Sequence, residues 1–201
     1  MPAVESQLEA LWNILKQKAP ILRPKIIPRG YDDEQLSSLC NSTQFQLCNL
    51  EKQALELTHG RCSICDQEMR LAARLATEWS FNFKELVMSL NKLMVLCSTC
   101  YELTDLEAFL TKTMTSHNSE LESQLSTFCK LNGYNTENPV KRALYVEECY
   151  SIAYSIKTIL SNCPKLKIAN QEFLQLEKKN TSDILSILQL PQSAKDQASI
   201  S

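Results

Sequence analysis

Two short hooks, Cys62-Ser-Ile-Cys65 and Cys97-Ser-Thr-Cys100, stand 35 residues apart in a chain of 201. A two-residue spacer lets both sulfurs of a hook turn toward one point around a single tight turn. Two hooks from two segments therefore supply the four donors of a tetrahedral metal site. Both hooks read Cys-Ser-x-Cys and both precede apolar-patterned stretches, CSICDQEMRLAARL and CSTCYELTDLEAFL. That pattern predicts a helix starting at each hook, whose first N–H groups and dipole favour thiolate. Zinc is the expected ion, in a structural role, with Cys62, Cys65, Cys97 and Cys100 as its ligands. Iron in a rubredoxin-like site uses the same four thiolates, but Asp66 and Tyr101 stand where such hooks usually carry glycine.

The other cysteines support a reducing environment. Nine cysteines is an odd count for a disulfide framework. The first residues, MPAVESQLEALW, lack the basic-then-apolar order of a secretory signal. No stretch approaches eighteen uninterrupted apolar residues, so no membrane span is expected and the expected location is cytoplasmic, or nuclear in a eukaryote. The formal net charge of −2 leaves nucleic-acid contact to a local basic patch. Only Gly30, Gly60 and Gly133 occur, which removes the raw material for phosphate loops, dinucleotide fingerprints and glycine-turned hairpins. A thiol–disulfide enzyme would need its hook after a strand in a βαβ context, and no such context is legible.

Periodicity predicts an all-α chain. Val4, Leu8, Leu11 and Leu15 recur at helical spacing over residues 4–18. Pro20, Pro24 and Pro28 then break the chain into an extended connector. Helices are expected from Asp32 or Asp33, and from Ser42 or Thr43 to Gly60. Between the hooks, Met69, Ala72, Leu75, Ala76 and Trp79 fall on one helical side, while residues 81–96 read as a helix or a helix running into a strand-like LMVL. Further helices are expected after the second hook, over SELESQLSTFCKL, and from Asn138-Pro139 to Pro164, with shorter ones near 168–179 and 182–190. Residues 191–201 are small and polar and read as a disordered tail. This divides the chain into N-terminal helices with a basic connector (1–60), a zinc module (61–115), a C-terminal helical region (116–190) and the tail, with the parts before the tail expected to form one compact domain overall.

The stretch NKLMVLCSTCYELTDL resembles the C-terminal end of HNH-type treble-clef zinc modules, which carry an asparagine, an apolar run and then a Cys-x-x-Cys followed by histidine. Asn91, Leu93, Leu96, Cys97 and Cys100 match that pattern, and the separation from Cys62 and Cys65 falls in the family's range. The resemblance covers about residues 60–110 and implies a zinc scaffold. It departs where the chemistry would be: residues 66–96 contain no histidine, and Tyr101 replaces the one after the second hook. Without those groups nothing remains to activate water or hold a catalytic magnesium. The family's hairpin between the hooks also conflicts with the helical periodicity there.

Other candidates are weaker. Glu56 and His59 form half of a di-iron Glu-x-x-His pattern, but His117, the second histidine of the chain, follows no such glutamate. His59, three residues before Cys62, is a competing ligand candidate but is expected instead at a helix C-terminus, near free carbonyls. Glu147 and Glu148 read as a solvated pair beside a core thiol, and Cys40, Cys48, Cys129, Cys149 and Cys163 as small core hydrophobes. Tyr145, Tyr150 and Tyr154 stripe a long helix, a packing pattern more than a cofactor box. Lys16, Lys18, Arg23, Lys25 and Arg29 form a basic run without an acid, suited to a phosphate backbone. With no catalytic constellation, the expected function is a zinc-stabilised regulatory or scaffold protein that binds a macromolecular partner, most simply a protein. The alternatives are a DNA-associated regulator using the basic run, and a diverged metal-dependent nuclease.

Overall fold

The structure, a computed structural model, describes residues 4–27, 55–56, 58–69, 73–115 and 119–169. In chain order its elements are α1 (Val4–Lys18), β1 (Arg74–Asn82), β2 (Val87–Leu96), α2 (Ser98–Thr104), α3 (Leu106–Thr115), α4 (Ser119–Leu131), α5 (Pro139–Ser161) and β3 (Lys167–Ala169). The all-α expectation is therefore wrong: helices and a three-stranded sheet coexist. The expected helix from residue 32, the expected helix from 42 as far as residue 54, the basic residue Arg29 and the segments beyond 169 lie outside the described residues.

The error lies between the hooks. Residues 74–96 form two strands joined by a four-residue turn, too short for anything but an antiparallel pair. Asn82 holds that turn: its Oδ1 accepts from the Glu85 N–H (3.3 Å) and its amide donates to the Glu85 carboxylate (3.0 Å). The short β3 adds to the other side of β2 in parallel register, Val87 opposite Lys167 and Ser89 opposite Ala169. The first residues of the expected 168–179 helix are thus strand.

The chain forms two compact units. One is built on α1, the hairpin turn at 82–86, α2 from Thr99 onward and helices α3 to α5. Its core runs through Leu8, Leu15, Phe128, Val146, Ala153 and Ile156, all fully buried. Aromatic rings stack through it: Phe109 on Tyr150 at 4.3 Å, Tyr150 beside Phe128, and Tyr145 on Tyr134 at 4.1 Å. Burying tyrosine requires a partner for its hydroxyl. Tyr150 donates to the Leu103 carbonyl and Tyr145 to the Lys18 carbonyl, which ends α1 against α5. Asn132, itself buried, accepts from the N–H groups of Ile21 and Leu22 and donates to the Leu22 and Phe128 carbonyls. One side chain thereby satisfies the backbone of the connector after α1. The long helix α5 starts as expected: Asn138 caps the N–H groups of Val140 and Lys141, with Pro139 in the first turn. Trp12 of α1 meets Phe83 edge-on at 6.3 Å and carries the Arg23 guanidinium over its ring at 5.6 Å.

The other unit holds the hairpin strands, the first hook and β3. Ala76, Trp79, Met88, Val95 and Leu96 are buried in it, with Met69 beside the first hook. Among the described residues, no helix is long and apolar enough to cross a membrane.

Candidate metal centre

The first hook is a turn, not a helix start, which corrects the expectation for it. A short antiparallel bridge joins Arg61 to Glu68 and closes the loop between them. Inside it, the Cys62 N–H donates to the Gln67 carbonyl (3.0 Å) and the Asp66 N–H to the Cys62 carbonyl (3.0 Å). Tightness of this kind needs a left-handed residue just after the second cysteine, the place where glycine is usual. Asp66 takes that conformation at φ 58°, which aspartate tolerates better than most residues. The Arg61 guanidinium then donates to both the Asp66 carbonyl (2.8 Å) and its carboxylate (2.9 Å). Upstream, Gly60 at φ 71° receives the end of a helical turn, its N–H donating to the Leu55 carbonyl (2.8 Å). The expected helix stop at Gly60 is in place, while His59 is exposed at a positive φ of 51°.

The second hook does open a helix. Cys97 directly follows β2 and Cys100 lies in the first turn of α2. The expected single helix beyond it is two: the chain breaks at Asp105, whose carboxylate accepts from the Ala108 N–H (3.0 Å) and caps α3. Ser63 ties the first hook to β2, its N–H donating to the Val95 carbonyl (2.8 Å) and its hydroxyl accepting from the Val95 N–H (3.2 Å). Hook and strand end are registered by the backbone itself.

The consequence is one cluster. The four sulfurs of Cys62, Cys65, Cys97 and Cys100 all lie within 4.8 Å of one another, and it is the single such group of metal-binding side chains among the described residues. Cys62, Cys97 and Cys100 are buried and Cys65 is half-buried. The Cys65 and Cys97 sulfurs stand 3.7 Å apart. A metal–sulfur bond of about 2.3 Å gives a tetrahedron with edges of about 3.8 Å, so this separation fits a thiolate-bound ion. Four thiolates suit a soft or borderline ion such as zinc or iron and disfavour magnesium or calcium.

The remaining candidates do not converge on this cluster. Lys18 pairs with Glu148 at 2.8 Å, and Arg23 lies over Trp12. Lys16 is exposed near the end of α1, and Lys25 lies in the connector, its N–H donating to the Thr104 carbonyl (2.7 Å). Glu147 is exposed, while Cys129 and Cys149 are buried core residues. Burial pushes each of those two thiols from 9.0 up to about 11. Both are held as thiols near neutrality, which opposes nucleophilic chemistry. Sequence reasoning missed the Ser63–Val95 tie, and only the knowledge that a strand ends at Leu96 would have revealed it. A scan against protein-family models found no match, and comparisons with curated proteins and with solved structures likewise found none.

Proposed function

We propose that the cluster binds one zinc ion as a closed structural site, and that the protein is a non-enzymatic module working through a macromolecular partner. The observation that carries this reading is the convergence of four sulfurs within 4.8 Å from two separate hooks. When bound, the ion would join the first hook to the start of α2, with cysteine at all four corners and no position left for a catalytic water. The order of elements, a tight hook, a two-stranded hairpin and then a helix bearing the second hook, is that of a treble clef. It supports the kinship suggested by NKLMVLCSTCYELTDL, since the hairpin replaces the helix that had argued against it. Residues 66–96 and position 101 offer no histidine, so the scaffold is kept here without the nuclease centre.

Elemental analysis of protein purified without chelator tests the metal: one zinc per chain is expected, lost in Cys62→Ser and Cys97→Ser. Stoichiometric iron, or a folded protein with no metal, overturns it. Recovery of a specific protein partner by the wild type, and not by the zinc-free variants, tests the role. Retention on duplex DNA that weakens steeply with salt would favour the DNA-associated alternative.

A further inference from the structure

The four thiols differ in exposure, and the difference is organised. Cys65 alone is half-buried; of the buried three, Cys97 is 8% exposed, Cys62 3% and Cys100 1%. The two most exposed of the four residues thus come from different hooks, and their sulfurs stand 3.7 Å apart. A disulfide requires about 2.05 Å between sulfurs, so a closure of less than about 2 Å would join them. The Ser63–Val95 hydrogen bonds hold the two hooks in register, which keeps this pair opposed.

We propose that Cys65 and Cys97 form a hydroperoxide-sensitive latch on the metal site, closing as a disulfide across the two hooks and releasing the ion. This rests on the metal reading given above. The Cys65 sulfur attacks the O–O bond of the hydroperoxide: an S–O bond forms, the O–O bond breaks, and hydroxide (or alkoxide) leaves and takes up a proton. Sulfur is oxidised by two electrons and the peroxide oxygens are reduced. The Cys97 thiolate then attacks the Cys65 sulfenic sulfur, forming S–S and breaking S–O, with hydroxide leaving as water after protonation. Two thiolates and one hydroperoxide yield one disulfide. Cys62 and Cys100 remain, half of a tetrahedral ligand set, and two thiolates hold such an ion far more weakly than four.

The test treats the full-length zinc-loaded protein with hydrogen peroxide, follows zinc with a chromogenic chelator, and maps disulfides by peptide mass spectrometry after alkylation. The expected result is one zinc released for each Cys65–Cys97 linkage, with both reversed by dithiothreitol and added zinc. Cys65 should also be the first of the four to be alkylated by N-ethylmaleimide. First-formed linkages within a hook, Cys62–Cys65 or Cys97–Cys100, overturn the proposal, as does zinc retained under peroxide that oxidises other cysteines. If the protein carries no zinc, the metal reading fails; mapping the disulfide on that metal-free protein still decides whether Cys65 and Cys97 pair.

Discussion

Single residues carry much of the local geometry, and Asp66 is the clearest. It occupies a left-handed conformation at φ 58° that a β-branched residue resists by about 1–2 kcal/mol. Asp66→Val should therefore destabilise the zinc-loaded protein by about that amount, whereas Asp66→Gly should stay within about 0.5 kcal/mol. The exposed Arg61 pair adds little to either value. Urea unfolding distinguishes the two, and an equal loss in both would show that the backbone conformation is not the reason. Cys129 and Cys149 set a second residue-scale property. Each thiol is raised from 9.0 to about 11 by burial, so folded and unfolded chains both hold its proton below pH 9. Between pH 9 and 11 the unfolded chain sheds it first, and stability falls. The loss is on the order of 2 kcal/mol per thiol. Tyr150, raised well above its ordinary 10 by burial, adds to the loss at the top of this window. Urea midpoints measured from pH 8 to 11 should fall less steeply in Cys129→Ala/Cys149→Ala, and an unchanged slope would count against the thiols.

At the scale of elements, the break between α2 and α3 depends on one cap. Asp105→Ala removes the acceptor for the Ala108 N–H and should cost about 1 kcal/mol, read as a lower thermal midpoint with helix content nearly unchanged. Helix α1 was legible because its apolar residues repeat at helical spacing, and α5 because its ends carry recognisable signals, Asn138-Pro139 at the start and Pro164 beyond the finish. The hairpin was not, for a physical reason. In β1 the two buried side chains are Ala76 and Trp79, three residues apart, which imitates a helical stripe instead of strand alternation. At the end of β2, Val95 and Leu96 are buried in succession, so alternation is lost there too. The cysteine cluster was legible because its spacing follows from ligand geometry and does not depend on the elements between the hooks. The Ser63 tie was not, since it depends on where β2 ends.

For the molecule as a whole, the metal should matter locally before it matters globally. Stripping the ion with a strong chelator should raise amide exchange first in residues 58–69 and 95–100, where the hooks lie. Amides in α4 and α5, backed by the aromatic stack and by the buried Tyr150, should keep their protection longer. Simultaneous loss of protection across both sets would instead mean that one cooperative transition governs the entire chain. The placement of the two tryptophans makes such behaviour easy to follow. Trp12 belongs to the helical unit and Trp79, 6% exposed, to the hairpin unit, and the chain has no others. Intrinsic fluorescence thus offers one emitter per unit. Replacing either ring with phenylalanine leaves a single optical reporter, with which the melting of each unit can be timed separately.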